Sequence, residues 1–427
     1  MLICNKKQGA EIDRWSGFSA VDRRGVLAGA AATMMAGCGV RRDPSALRLW
    51  AMSYEGDYSP HLMPAFTART GIPVEVQSLP WTAAHEKLLT AFAGDALPDV
   101  MMLPNGWVGE FAMAGAIAPV AEREVADLFP GTADTVRWRG TPYAVPWSVA
   151  PQAQFFRRDR LDGPPAEDWD GWRAMGLRLK RRFPDSYAFL ILLNWWDTLF
   201  TFAGQAGAAL LRERDTRGNF ATPEFRAALD FYVSLFRDRL APAVLSTEVQ
   251  DPVAAFAQGW FLVYPSGPSL LLDFKRRAAE IPAARWGVAR MPGPTGPGAV
   301  SGVSGALAVA RGTRRPEAAR ALVRHLTSAR SELRFQQLIG NLPARASAWA
   351  DAQMAAPVLA PFAAQLRQPA RDPAVVEWER IRIEVQLIAE RVVRGLLTVG
   401  VAVQEMDRRA DLILAKRRAL VQAGRLA

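Results

Sequence analysis

An α/β fold of two domains is predicted, and three observations predict it. Strand-like and helix-like patterns alternate from residue 47 onward, beginning β-α-β-α-β and ending near Leu103. The chain has 427 residues, too many for one ordinary core. Two irregular stretches, the extended, proline-punctuated TPYAVPWSVAPQAQFFR (141–157) and the loop MPGPTGPGAVSGVSG (291–305), read as places where the chain passes between domains.

The elements follow in order. Leu47-Arg48-Leu49-Trp50 alternates as a strand. Residues 59–70 read as a helix closed by Gly71, although Pro60 and Pro64 cannot both occupy its first turn. Ile72, Val74 and Val76 alternate as a second strand. Thr82 is then expected to cap a helix with apolar face His85, Leu88, Leu89 and Phe92, stopped at Gly94. Asp99 to Leu103 is a short buried strand, and this order implies a mostly parallel, covered sheet. Helical patterns recur at 168–183, 194–211 and 223–240. Gly305 to Ala310 is read as a strand and Arg315 to Leu326 as a helix. Trp378, Ile381, Val385, Ile388 and Val392, then Val403, Met406, Ala410 and Ile413, step by three and four, as amphipathic helices packed on a domain do.

Composition narrows the function. Half of the residues are hydrophobic and 22% are charged, as in a globular protein. The net charge of +10 is spread in short RR and KRR clusters rather than one stripe, which argues against a nucleic-acid partner. Cys4 and Cys38 are the only cysteines, too few for a disulfide framework, and His61, His85 and His325 lack zinc-ligand spacing. No metal or cofactor is expected. A Gly-x-Ser-x-Gly elbow is absent and no paired-carboxylate motif stands out at strand ends, so an enzyme is not expected.

The N-terminus gives a location. Arg23-Arg24 precede the uncharged run GVLAGAAATMMAGCGV (25–40), short for a membrane span and suited to the apolar part of an export signal. Met35-Ala36-Gly37-Cys38 resembles a bacterial lipobox, which implies cleavage of residues 1–37, lipid on Cys38 and a tether over 38–45. Asp22-Arg23-Arg24-Gly25-Val26-Leu27 resembles a twin-arginine motif, with Asp where Ser or Thr is usual; a general-secretion signal is the rival reading.

Ordered blocks then carry a family resemblance. GDALPDVMMLPNGWVGEFAMAGAIAPV (94–120), GTPYAVPW (140–147) with FFRRDRL (155–161), AFAQGWFLVYPSGPSLLLDFKRR (255–277), WGVARMPGP, SGVSGALAVARGTRRPEAARALVRHLTS and LIGNLPARASAW (338–349) resemble the family 1 extracellular solute-binding proteins of sugar ABC importers. The resemblance covers about residues 46–420. It implies a two-lobed fold of the periplasmic-binding-protein type (class II), with the ligand in the cleft and crossings near 145–148, 302–305 and 342–345. Lobe 1 is expected to hold 46–146 and 305–342, and lobe 2 to hold 147–304 and 343–427 with the C-terminal helices. The implied role is capture of a mono- or oligosaccharide by a monomer, through hinge closure, for delivery to an ABC permease.

Sugar chemistry selects the candidate residues. A pyranose offers apolar C–H faces to aromatic rings and a rim of hydroxyls to Asp, Asn, Gln and Arg. Trp81 follows the second strand. Asn105 and Trp107 follow the third, where the subgroup often has Asn-Thr-Trp. Trp147 sits at the first crossing, Trp195-Trp196-Asp197 open a helix of lobe 2, Ser304-Gly305 lie at the second crossing and Arg345 at the third. Trp260 and Trp286 are expected in the core. Two departures bear on the ligand: Ala150-Pro151-Gln152 stands where many members have an Asp-Thr-Arg-like triplet, and Ser269 where many have Trp. A binding or sensing lipoprotein for a non-sugar solute is therefore the alternative, with a secreted glycosidase behind it.

Overall fold

A computed structural model describes residues 43–129, 131–195, 197–299, 303–367, 373 and 375–426. The chain divides into a unit through Ala46 and a unit from Leu47 to Ala427. In the first, Ser45 donates from its backbone N–H and its hydroxyl to the Asp43 carboxylate. Cys38, with the export signal and lipobox, lies outside the described residues.

The second unit contains two larger sheets. Lobe 1 is built on β1 (Leu47–Met52), β2 (Val74–Leu79) and β3 (Val100–Pro104), with β1 parallel to both neighbours. β1 and β3 are buried along almost their whole length, as expected of a parallel sheet covered on both faces. Between β1 and β2 run α1 (Ser53–Tyr58), a 3₁₀ turn (Ser59–Leu62) and α2 (Met63–Thr70). The two prolines are thereby accommodated: Pro60 opens the turn and Pro64 opens α2, each where the missing N–H costs nothing. α3 (Trp81–Ala93) starts two residues earlier than a Thr82 cap requires; Pro80 is its N-cap and no side chain caps it. α4 (Asn105–Met113) likewise follows Pro104 with no side-chain cap.

Lobe 2 is built on β5 (Ala153–Arg157), β6 (Tyr187–Phe189), β7 (Phe261–Ser266) and β8 (Trp286–Ala289), ordered β8-β5-β7-β6, with β6 parallel to β7. α5 (Trp169–Arg182) is capped by Asp168, whose carboxylate accepts from the Gly171 N–H at 2.7 Å. Gly176 on α5 is required: a Cβ there would stand 2.8 Å from the Phe189 ring. α6 (Asp197–Gln205) is shorter than the periodicity over 194–211 suggests. Gly207 adopts φ +75° and stops it, and Leu211–Arg212 instead pair with Arg217–Gly218 as a two-stranded ribbon. α7 (Pro223–Arg237) is capped by Thr222. α8 (Leu270–Arg276) follows β7.

Three passes of the chain between lobes are adjacent strands of one sheet. β4 (Val145–Ala150), β9 (Val303–Val309) and β10 (Leu342–Pro343) complete the lobe 1 sheet in the order β10-β4-β9-β3-β1-β2, pairing antiparallel. Only Pro151 and Gln152 separate β4 from β5 of the other sheet. A hinge made of neighbouring paired strands can bend while its ladder stays intact. α9 (Pro316–Leu326) and α10 (Ala329–Ile339) pack under it, and Gly340, at φ +82°, ends α10 where a Cβ would stand 2.8 Å from the Ser269 α-carbon. α11 (Trp378–Val393), α12 (Val399–Ile413) and α13 (Ala415–Gln422) close the chain, with Trp378, Ile381, Val385, Val403 and Met406 in the lobe 2 core as their stepping predicts.

Candidate ligand cleft

The edges of the two sheets that face each other follow from one contact. β1 leads into α1, and β7 leads into α8. The Arg276 guanidinium on α8 lies 5.5 Å over the Tyr58 ring of α1 and donates to Tyr58 Oη at 3.2 Å. The carboxyl ends of β1 and β7 therefore meet across the cleft. β2 is parallel to β1 and β6 to β7, so the residues after β2 and β6 leave from those same edges. Ligands of open α/β sheets bind outside such carboxyl ends.

The exposed aromatic side chains among the described residues are Tyr54 (43%), Trp81 (43%) and Trp195 (40%), and they follow β1, β2 and β6 respectively. Ser53, which turns β1 into α1, has φ +45°, a strained value for a non-glycine residue, and so re-aims the chain before Tyr54. Tyr54 meets Tyr58 edge-on at 6.2 Å. The Asp273 carboxylate, with burial second, pushes the Tyr54 hydroxyl above its ordinary value. Burial raises Asp273 itself, against the pull of Arg276 and Arg277. Tyr54, Tyr58, Ser269, Asp273, Arg276 and Leu338 line a narrow crevice too small to hold a water molecule. Tyr54, Asp273 and Arg276 were not among the sequence candidates, although Tyr54 sits at a strand end as Trp81 does.

The sequence candidates divide. Trp81 and Trp195 are exposed and follow β2 and β6. Asn105, the first residue of α4, donates from Nδ2 to the Thr135 hydroxyl, while its Oδ1 has no partner among the described residues. Asp197 opens α6 beyond Trp195; Trp196 lies outside the described residues. Ser304 and Gly305 lie on β9, where Gly305 leaves room for the Met102 side chain: a Cβ would stand 2.2 Å from its terminal carbon.

Three candidates are placed elsewhere. Trp147 is 1% exposed and stacks on Phe335 of α10 at 4.5 Å and 7°, in the lobe 1 core. Trp107 is buried against His85, ring centroids 4.6 Å apart, and His85 is held at 2.7 Å by Glu110. A strand-end position puts the backbone at the cleft; these side chains turn inward. Arg345 is a strut: its Nε–H donates to the Thr327 carbonyl at 2.6 Å and its Nη2–H to the Glu124 carbonyl at 3.1 Å. Trp260 and Trp286 are half-buried and pack against a lobe 2 cluster, close to the expectation.

Two buried carboxyls grip the third crossing. Glu55 on α1 is 5% exposed and accepts from Asn341 Nδ2 at 2.8 Å. Burial pushes its carboxyl up to about 7. Glu332 on α10 accepts from the Arg345 N–H at 2.9 Å, and burial raises it well above the usual carboxylate range. At the first crossing, Gln152 is buried with Oε1 lacking a partner among the described residues, whereas Gln154, two residues on, donates to the Arg290 carbonyl and accepts from Trp172 Nε1. Among the described residues no group of His, Cys, Asp and Glu could hold a metal ion.

Two α/β lobes joined by three neighbouring strands, with exposed aromatic side chains after strands of both, have the architecture of a two-lobed solute-binding protein. The comparisons agree. The family model for bacterial extracellular solute-binding proteins matches residues 53–332, and the chain belongs to that family. It is similar to the structure of the sugar-binding protein MalE from the phytopathogen Xanthomonas citri, with TM-score 0.83 and 38% identity over 88% of this chain and 99% of that one. It is 24% identical over 413 residues to a binding protein of Brucella abortus, covering 92% of this chain and 98% of the relative. A mannitol-binding protein of Pseudomonas aeruginosa is 28% identical over 279 residues, 61% of each chain.

Proposed function

We propose that this protein is the extracytoplasmic binding component of an ABC importer, capturing a mono- or oligosaccharide by hinge closure and delivering it to the membrane permease. The observation that carries the reading is the placement of Tyr54, Trp81 and Trp195, open aromatic faces at the carboxyl ends of strands from both lobes. Aromatic faces suit the C–H surfaces of a pyranose, and Asn105, Gln152, Asp197 and Asp273 suit its hydroxyls. The likeness to MalE of Xanthomonas citri and to a mannitol-binding protein supports a neutral polyhydroxyl ligand. Ser269 and Ala150-Pro151-Gln152 make this cleft less charged and less aromatic than the family's usual one, so its preferred sugar differs accordingly. The lipobox ending at Cys38 supports export and acylation there, with the twin-arginine-like Arg23-Arg24 pair at the start of the signal.

Isothermal calorimetry against a panel of monosaccharides, disaccharides, maltodextrins and hexitols tests the ligand class. One or a few members should bind with heat and raise the thermal midpoint. Silence across the panel, alongside tight binding of an amino acid, peptide or polyamine, rejects the sugar reading. Intact mass of membrane-extracted protein tests the anchor: a species retaining residues 1–37 without lipid rejects it.

A further inference from the structure

The exposed large apolar side chains fall into two groups. Tyr54, Trp81 and Trp195 edge the cleft, and Met113 stands alone. All the others, Ile383, Leu387, Leu396, Val401 and Leu412, belong to the C-terminal helical hairpin, at 49–67% exposure. Their spacing is regular. Arg380, Ile383, Leu387, Arg391 and Arg394 step by 3, 4, 4 and 3 along α11 and its end, so they share one narrow stripe of about 80°. Val401, Arg408 and Leu412 make a matching stripe on α12, and Leu396 tips the turn between the helices. In both helices the opposite face, Ile381, Val385 and Ile388 with Val403 and Met406, is spent on the lobe 2 core.

The most exposed charge around these stripes is positive. Between residues 375 and 426 every charged side chain in the exposed class is Arg or Lys, while each carboxylate is at least partly covered. Glu379, Glu390 and Glu405 pair with Arg382, Arg394 and Arg408 of the same helices, and Asp411 with Arg217. Arg380 and Arg391, which flank the Ile383–Leu387 pair, have no carboxylate partner among the described residues. An ordinary solvated helix alternates both charges over such a face. Isolated aliphatic side chains spaced by arginines, with the carboxylates partly covered, match the head-group region of an anionic bilayer, where the chains enter the acyl boundary and the guanidiniums meet phosphates.

We propose that the outer face of the α11–α12 hairpin docks on an anionic phospholipid surface. The docked face is formed by residues outside the ligand cleft, and it lays the protein on the bilayer independently of acylation at Cys38.

The test uses the full chain carrying Cys38→Ser, which removes the acylation site. Flotation with vesicles of phosphatidylcholine containing about one-third phosphatidylglycerol is compared with pure phosphatidylcholine. The expected result is at least about tenfold more protein bound to the anionic vesicles, with the excess abolished at high salt. Ile383→Ser/Leu387→Ser and Arg380→Glu/Arg391→Glu should each cut that excess at least about fivefold while the thermal midpoint stays unchanged. Hydrogen exchange of the parent should show added protection of residues 380–412 on anionic vesicles. Equal binding by parent and both variants, or absence of vesicle binding, overturns the proposal. So does self-association that Leu387→Ser abolishes, which would assign the face to a second copy, and so does protection seen only when a membrane subunit is present.

Discussion

Arg276 Nη2 donates to Tyr58 Oη at 3.2 Å and to the Leu338 carbonyl at 3.5 Å, so one lobe 2 side chain holds both α1 and α10 of lobe 1. The guanidinium also faces the Tyr58 ring. These bonds tie the lobes together beside the cleft without filling it, so they add to closure whatever the ligand. A partly exposed cation–π contact contributes about 0.5–1 kcal/mol. Arg276→Ala should therefore weaken ligand binding by about two- to fivefold, chiefly through faster release. It should also raise the radius of gyration of the unliganded protein in small-angle scattering. Unchanged affinity together with an unchanged scattering curve would show that the contact has no weight in closure.

Trp147→Ala should act on folding. The ring is buried and stacked on Phe335, and truncating a buried Trp costs about 3–5 kcal/mol. Urea unfolding should show that loss as a lower midpoint. If stability is unchanged and affinity alone falls, the side chain belongs to the cleft and its placement in the lobe 1 core is wrong.

Much of the fold was legible because its signals are local. The stepping of Trp378, Ile381 and Val385 and the glycine stop at Gly94 each needed a few residues of context, and the structure has both. Thr82 failed as a cap because Pro80 already fixes the extended entry to α3. The 194–211 pattern overran because Leu210 and Leu211 are buried before and in a ribbon as well as they would be in a helix. At the level of the backbone the strand ends were legible: residues 81, 105 and 195 each follow a strand as read from the sequence. Which way a side chain turns there depends on packing partners far along the chain. Phe335 takes Trp147 inward, and Thr327 with Glu124 takes Arg345. Arg276 became a cleft residue only through Tyr58, more than two hundred residues away, and no spacing rule reports that pairing.

Trp81→Ala and Tyr54→Ala should behave in the opposite way to Trp147→Ala. Both rings are nearly half exposed, so folding should change by no more than about 0.5 kcal/mol. Each would remove an aromatic platform, at a cost to sugar binding of about 1–3 kcal/mol. Calorimetry with the panel's best ligand measures it. Full affinity in both variants would move the stacking surface elsewhere.

Glu55 gives the protein a pH dependence whose sign is fixed by its burial. Its carboxyl titrates near 7 in the fold and near 4.5 when solvated, so folding favours the protonated form. That preference is fully present below about 4.5 and is lost as pH rises through 7. A shift of this size corresponds to about 3 kcal/mol. Glu55→Gln keeps an acceptor for Asn341 Nδ2 and cannot ionise. It should match the parent's unfolding free energy at pH 4 and exceed it by about 3 kcal/mol at pH 8, the divergence opening between those values. Glu332 shifts in the same direction but is common to both proteins, so the difference isolates Glu55. Denaturant unfolding across that range measures it. Stability curves that run parallel from pH 4 to 8 would mean that Glu55 is solvated, and would remove it from the grip on the third crossing.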